Sequence, residues 1–387
     1  MMDFSLDPAE VELAASARKF CEERILPRAK SWDIGEPIDR SVFAELGDVG
    51  LLSLRLPEEH GGLGASYVAC GNIAYEVGRA DIGLAIMVVN AVMWGELYPL
   101  MSPSIREKWT PRIAQGAPFV ITLTEPGAGS DAGSIRTTAK RDGDSWVING
   151  EKGSATYTGL GEICLCFART GGPGAKGISS IMIPWDAPGI EKRVYDSVGE
   201  RVTQRGQVYY NDVRVPLENL VGEENGGFLH AMRFFDYNRA FLTLMCIGAA
   251  EKSLDETIEY LKIREAFGKP LAAFQGVNFQ IAEHMTRLEA AKLLCYKVLW
   301  LKDQGIPHSK EAAMVKWLGI EEAYRTTHTC LLMHGWPAYS SDLPFDKRMR
   351  DIMGLQLGDG TREIMKMVIA REVFGREALP YHRSSSK

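Results

Sequence analysis

The feature that most constrains this chain is a double change of hydrophobic period. Up to about residue 117 apolar side chains recur at helical spacing, from Phe119 they gather in short β-rich runs, and after Gly226-Gly227 long helical periods return. The first helix opens at Asp7-Pro8-Ala9-Glu10, with Asp7 as N-cap, Pro8 at the first helical position and Glu10 placed to return the capping bond; it is expected to stop before Pro27. Ser102-Pro103-Ser104 opens another, whose apolar positions Ile105, Trp109 and Ile113 run until Gly116. The β-rich runs are Val120 to Thr124, Ser145 to Ile148, Ile163 to Ala168, Ile178 to Ile183 and Gln207 to Tyr210, separated by Asn-Gly, Asp-Gly and Gly-Pro turns. Four helical periods follow: Phe228 to Arg264, Phe274 to Asp303, Ser309 to Met333, and Thr361 to about Phe374. The order all-α, all-β, all-α lacks the strand and helix alternation of a doubly wound nucleotide-binding sheet. The expectation is an α+β protein: a helical domain over 1–117, an antiparallel β domain over 118–225 and a helical bundle over 226–387.

At 387 residues the chain has room for two or three domains and a large core. Lys+Arg 44 against Asp+Glu 50 gives a net charge of -6, which argues against a surface that tracks nucleic-acid phosphates but leaves room for a local basic pocket. The start, Met1-Met2-Asp3-Phe4-Ser5-Leu6-Asp7, carries acid where a secretory signal needs a basic, then apolar, segment, so no export is expected. The longest apolar stretch, Ile82 to Gly95, is interrupted by Asn90 and falls short of the ~20 residues that span a bilayer; no membrane insertion is expected. Seven cysteines are scattered without a CxxC pair, which suits reduced, buried thiols in the cytoplasm. His328, Cys330 and His334 lie close in sequence, but on a helix 328 points away from the face that 330 and 334 share, so core filling is favoured over a metal.

Two stretches match dinucleotide fingerprints by letter: Gly172-Pro173-Gly174-Ala175-Lys176-Gly177 and Gly127-Ala128-Gly129-Ser130-Asp131-Ala132. Neither opens a helix, as pyrophosphate binding on a helix N-terminus requires. The first reads as a hairpin loop. The second, within Thr124 to Asp131, combines hydroxyls, small residues and bare backbone donors; it suits close approach to a flat ring or to phosphates, and equally a well-capped turn.

Leu123-Thr124-Glu125-Pro126-Gly127-Ala128-Gly129-Ser130-Asp131 resembles the signature of the acyl-CoA dehydrogenases. The likeness continues through Asn149-Gly150-Glu151-Lys152, Phe167-Ala168-Arg169-Thr170, Asp212-Val213-Arg214-Val215-Pro216, Arg264-Glu265-Ala266-Phe267-Gly268-Lys269, Phe274-Gln275, Met349-Arg350-Asp351 and Ala370-Arg371-Glu372. This resemblance implies an N-terminal helical domain, a central antiparallel β-barrel and a C-terminal four-helix bundle, with FAD as cofactor, an acyl-CoA substrate, a homotetramer and electron-transfer flavoprotein as oxidant. It implies cofactor contacts for Thr124, Ser130 and Thr156, and for Thr361 and Glu363 beside the base. Arg264, Phe267, Phe274 and Gln275 would hold the adenosine diphosphate of a neighbouring subunit's FAD; by itself Arg264 is also readable as a solvated charge at a helix end. Ser130, Asp236, Arg239 and Gly360 would contact substrate, Asp236-Tyr237-Asn238-Arg239 matching the family's CoA-binding Asp-x-x-Arg, although the same spacing makes a plain helix ion pair. Three departures stand out. Ser154 replaces a large aromatic near the flavin, with Tyr157 a candidate substitute; Leu331 replaces a Gln; and His334-Gly335 replaces paired glycines.

The family's reaction removes the α proton of a thioester while a hydride leaves the β carbon, and a carboxylate away from water suits the first task. Where the family most often has a glutamate before Gly-Thr, this chain has Gly358-Asp359-Gly360-Thr361; the alternative base position, before the arginine of Asp-x-x-Arg, holds Asn238. Asp359 is therefore the expected catalytic base, unless it merely caps the last helix. Its shorter reach beside a glycine suits a cyclic or α-branched acyl group such as cyclohexanecarboxyl-CoA. Alternatives are a nitroalkane oxidase-like flavoenzyme, an enoyl-CoA reductase on the same fold, and a flavin-free binding protein.

Overall fold

The structure is a computed structural model and describes residues 7–36, 38–375 and 377. Six helices come first: α1 (Pro8–Phe20), α2 (Leu26–Asp33), α3 (Ser41–Asp48), α4 (Tyr67–Ala80), α5 (Ile82–Leu97) and α6 (Pro103–Ala114). The strands are β1 (Phe119–Thr122), β2 (Thr138–Asp142), β3 (Ser145–Ala155), β4 (Ile163–Arg169), β5 (Ile178–Pro184), β6 (Ile190–Val194), β7 (Gly206–Pro216) and β8 (Leu220–Val221). Then come α7 (Gly227–Ile263), a small hairpin of β9 (Glu265–Ala266) and β10 (Lys269–Pro270), and α8 (Gln275–Asp303), α9 (Ser309–His334), α10 (Phe345–Leu357) and α11 (Arg362–Phe374). By contact density the described residues form two compact units, one within Met1–Ile34, Tyr67–Ala85 and Asp236–Lys387, the other within Gly35–Ser66 and Ile86–Phe235.

The first cap is as expected: Asp7 Oδ1 accepts from the Ala9 N–H at 2.8 Å. The expected stop before Pro27 is not observed. A π-helical turn over Cys21–Ile25 carries the chain into α2, whose first turn holds Pro27 where a missing N–H leaves no bond unmade. Ile82–Leu100 is a helical run of 19 residues long and apolar enough to cross a membrane, longer than the sequence suggested, but 78% of it is buried inside the protein. That burial makes it a core helix.

The β region differs from the expected closed antiparallel barrel. It is an open sheet of eight strands in the order β6-β7-β3-β2-β4-β5-β8, with β1 attached to β4. Closure would need the end strands to meet, and neither is built for it: β8 has only two residues and β6 is exposed along nearly its whole length. The β1–β4 pairing is parallel, so the sheet is mixed. β4 is buried from Ile163 to Ala168, which explains why its sequence reads as an unbroken apolar run.

Among the described residues the C-terminal region holds five α-helices, α10 being the one not anticipated. Its inward face mixes Arg348 and Asp351 with Phe345, Ile352 and Leu355, which obscures the helical period. Arg348 bonds Glu256 at 2.6 and 3.0 Å, and Lys347 lies between Asp81 (2.8 Å) and Asp351 (2.7 Å), both carboxylates buried. Burial opposes the Lys347 charge, yet the two carboxylates outweigh it and raise the ammonium's pKa. Lys347→Met removes their shared cation and should lower unfolding free energy by about 3–5 kcal/mol in urea titration.

Candidate active site

The signature loop is clamped onto β3 in the sheet-containing unit. Lys152, fully buried, donates to the Leu123 carbonyl and to Glu125 Oε1, both at 2.9 Å, and the Gly153 N–H donates to the Thr124 carbonyl at 2.9 Å. Glu125 also accepts from the N–H groups of Arg136 (2.6 Å) and Thr137 (2.9 Å). Burial would raise the Glu125 carboxyl, but the Lys152 ammonium and these bonds hold it below its ordinary range. With Glu125 and Lys152 turned inward, the loop presents its other side chains outward: Thr124 and Ser130 are exposed and Thr156 half-buried. A Cβ built on Gly127 or Gly129 meets nothing within 4 Å, so their backbone is open to a flat ligand.

The two glycine stretches share one cavity of about 870 Å³, whose lining includes Ser130, Asp131, Arg136, Gly172 and Phe228. Arg169 stitches it together by donating to the carbonyls of Ile135 (2.9 and 3.1 Å), Gly133 (2.9 Å), Gly172 (2.6 Å) and Gly174 (3.0 Å). Gly172 to Gly177 lies in the connection between the antiparallel strands β4 and β5, as expected. Tyr157 cannot cover a ligand in place of the missing aromatic: it is completely buried, edge-on to Phe43 at 6.3 Å. The aromatic beside Ser154 is Tyr195, which is 39% exposed and accepts from the Ser154 N–H at 3.4 Å. Sequence reasoning missed it, because β6 carries no motif.

In the helical unit, Arg264, Phe267, Phe274 and Gln275 come together around the small hairpin between α7 and α8. The Leu271 N–H donates to the Arg264 carbonyl at 2.8 Å, and Phe267 and Phe274 meet edge-on at 6.5 Å. Phe267 is 95% exposed in a left-handed conformation (φ 52°), Arg264 and Gln275 are exposed, and Phe274 is half-buried. Leu331 and His334 lie in the last turns of α9; His334 is buried, stacked on Tyr260 at 4.2 Å and tilted against Phe345 at 4.4 Å. Its Nδ1 bonds the Cys330 carbonyl at 2.9 Å, and among the described residues no group of three His, Cys, Asp or Glu could hold a metal.

The same unit gathers Asp236, Asn238, Arg239, Asp359, Gly360 and Thr361. Thr361 caps α11, its Oγ1 accepting from the Ile364 N–H at 3.5 Å, so the Asp359 carboxylate is not spent as the cap. Buried Asn238 donates from Nδ2 to Asp359 Oδ2 at 2.5 Å, while its own Oδ1 finds no partner among the described residues. Arg239 is buried: its Nη1 bonds Asp236 Oδ1 at 3.2 Å and its Nε donates to the Asp359 carbonyl at 3.3 Å. The helix ion pair is thus real, and the arginine serves the Asp359 turn as well. Ser309 donates to Asp236 Oδ2 at 2.5 Å, and Glu363 is exposed and paired with Arg362 at 2.6 Å.

Helical, sheet and helical segments thus follow one another in this chain, the last two carrying the groups of candidate residues. Family models describe the chain throughout: the N-terminal domain of acyl-CoA dehydrogenase matches residues 7–117, the middle domain 120–213 and the C-terminal domain 225–374. Among curated proteins it is 35% identical to cyclohexane-1-carbonyl-CoA dehydrogenase of Geobacter metallireducens over 93% of this chain and 96% of that one. It is 33% identical to the mitochondrial short-chain specific acyl-CoA dehydrogenase of Rattus norvegicus over 92% of this chain and 88% of the relative. The solved butyryl-CoA dehydrogenase of Megasphaera elsdenii superposes with a TM-score of 0.92 at 30% identity, covering 96% of this chain and all of that one. The chain belongs to the acyl-CoA dehydrogenase family. It is an oxidoreductase acting on acyl-CoA, with FAD as cofactor.

The residues present fit that cofactor. Outward hydroxyls and open glycine backbone suit a ring with polar edges, and an exposed guanidinium beside two phenyl rings suits a pyrophosphate joined to a purine. Glu125→Gln, which leaves the buried Lys152 ammonium without its carboxylate, should cost about 3–5 kcal/mol and loosen the loop, and adding Lys152→Met should recover part of the loss in urea titration. In wild type the Glu125 contribution should be present above pH 4.5, the group's ordinary value, and disappear as pH falls through its lowered one.

Proposed function

We propose that this chain is an acyl-CoA dehydrogenase that uses Asp359 as base and acts on a cyclic or α-branched acyl-CoA, cyclohexanecarboxyl-CoA being the model substrate. The observation that carries this reading is the Asp359 turn. Thr361 supplies the cap of α11, the Asp359 carboxylate is held by a buried amide, and beside it stands Gly358, where an added Cβ would meet nothing within 4 Å. That space beside a short acid favours substrate with extra bulk at the α carbon. The 35% identity with a cyclohexane-1-carbonyl-CoA dehydrogenase supports the same class of substrate.

In the reaction the Asp359 carboxylate takes the α proton. The electron pair of that C–H bond becomes the Cα=Cβ bond as the β hydrogen departs with its own pair as hydride. FAD supplies the hydride acceptor. Asn238 donates to the ionised carboxylate, and its unpartnered Oδ1 offers an acceptor for the carboxyl proton once Asp359 is protonated. Ser130, Asp236, Arg239 and Gly360 hold the thioester and its CoA portion. Thr124, Ser130 and Thr156 of the sheet-containing unit, and Thr361 and Glu363 of the helical one, are the residues that would hold the flavin side of the cofactor; Arg264, Phe267, Phe274 and Gln275 would hold the adenosine diphosphate of a neighbouring copy.

A homotetramer would cover the exposed aromatics of the helical unit, Phe267 at 95%, Trp336 at 83% and Tyr339 at 76%. Electron-transfer flavoprotein is the proposed oxidant of the reduced enzyme. Seven buried free cysteines suit a reducing, cytoplasmic setting.

Anaerobic flavin bleaching tests the reading. Asp359→Asn should keep the yellow cofactor and the wild-type melting temperature while slowing bleaching by about 10²–10⁴-fold; an undiminished rate would remove Asp359 from the mechanism. Cyclohexanecarboxyl-CoA should bleach wild type faster than butyryl-CoA does, and a large preference for the straight chain would reject the substrate class.

A further inference from the structure

Asp359 has φ 53° and Gly360 φ 98°, two consecutive left-handed residues. A non-glycine residue held there is strained and persists only when its surroundings over-determine it. Asn238 holds the carboxylate and Arg239 the Asp359 carbonyl, as described. The third restraint comes from α9: Lys316 Nζ donates to the Gly360 carbonyl at 2.7 Å and to the Gln356 carbonyl, in the last turn of α10, at 3.2 Å. Lys316 is 1% exposed. Its ammonium has no carboxylate in bonding contact among the described residues, a costly arrangement for a buried charge. Capping α10 would need only the bond to Gln356; the bond to Gly360 straddles the base.

We propose that Lys316 is a positioning residue of the reaction, its ammonium fixing the carbonyls on either side of Asp359 so that the left-handed turn keeps the base aimed at the α carbon. This rests on the assignment of Asp359 as base. The charged groups facing Lys316 are Asp359 from the turn, which favours its charge, and Arg239 from α7, which opposes it; the Cys246 thiol of α7 also lies near. Burial is the dominant influence and brings its pKa down from 10.5 to about 8. Above that value the charge-assisted bonds weaken and the turn relaxes, so proton abstraction declines. Stability moves the other way: between pH 8 and 10.5 the unfolded chain binds more protons at this lysine than the folded one, so its contribution to stability rises with pH. An alkaline loss of activity without an alkaline loss of stability separates positioning from simple support of the fold.

The test uses the FAD-loaded enzyme and phenylacetyl-CoA, which has acidic α hydrogens and no hydrogen on its β carbon, so that exchange of those hydrogens in D₂O reports the base alone. Wild-type exchange should fall above about pH 8, the lysine's lowered value, while the melting temperature holds. Lys316→Met should exchange about 10- to 100-fold more slowly with no alkaline limb. Lys316→Arg, which stays charged, should recover much of the rate and also lack the limb. Asp359→Asn should abolish exchange; if it does not, the base assignment fails whatever Lys316 does. If Asp359→Asn abolishes exchange while Lys316→Met keeps the wild-type rate and limb, the Lys316 proposal is overturned. Should the Met variant not fold, an unchanged alkaline limb in Lys316→Arg overturns it equally.

Discussion

The bond from the buried Lys152 ammonium to the Leu123 carbonyl and the Glu125 carboxylate is the interaction on which the signature loop depends. A loop of threonine, glycines and serine has little apolar surface of its own to bury, so its conformation must be imposed from outside. One cation does this by satisfying a carbonyl and a carboxylate together, and the carboxylate in turn fixes the N–H groups of Arg136 and Thr137. The polar residues of the loop's inner side are consumed by these bonds. Its hydroxyls and glycine backbone are left for a ligand.

The same device recurs wherever this chain must shape a turn without an apolar core. Lys347 ties α10 to Asp81, and Lys316 reaches two carbonyls around Asp359. Each ammonium has lost most of its water, so each is worth having only where its acceptors are well placed. The outcomes differ with the neighbours. Burial opposes both charges: at Lys347 two carboxylates outweigh it and the pKa is raised, whereas at Lys316 the pull of Asp359 does not and the pKa is lowered. A lysine among carboxylates is a permanent fixture of the fold; one among carbonyls is responsive to pH.

Much of this was legible in the sequence because the signals were local. The Asp7 cap, the Thr361 cap, the bounds of α8 and α9 and the buried run of β4 all follow from residues within a few positions of each other. What escaped was non-local. α10 packs Arg348 and Asp351 inward, so its period looks polar until Glu256 and Asp81 are known to face it. Whether the sheet closes depends on the pairing of β6 and β8, strands too short or too exposed to reveal their fate. Tyr157 directly follows Thr156, an expected cofactor contact, but at a positive φ of 62° its ring is buried in the core, and Tyr195 stands beside Ser154 instead. Lys316 sits in an ordinary helical period, and nothing nearby in sequence marks the carbonyls it serves.

The proposed exchange of glutamate for aspartate at the base is best understood through its neighbours. A shorter side chain loses freedom as well as reach, and Asp359 is further restricted by the Asn238 amide on its carboxylate and the Arg239 guanidinium on its carbonyl. On the proposed reading, an acid so held does not lean toward a slender chain, and the substrate's α carbon must come to it. The open space beside Gly358 permits that approach for a bulky acyl group, and a large residue there would fill it. Asn238, at the position that could have carried an alternative base, instead spends its donor on the Asp359 carboxylate. Rigidity and room are thus two sides of one arrangement: the turn that fixes the acid leaves open space beside Gly358, which the proposed branched or cyclic substrate would occupy.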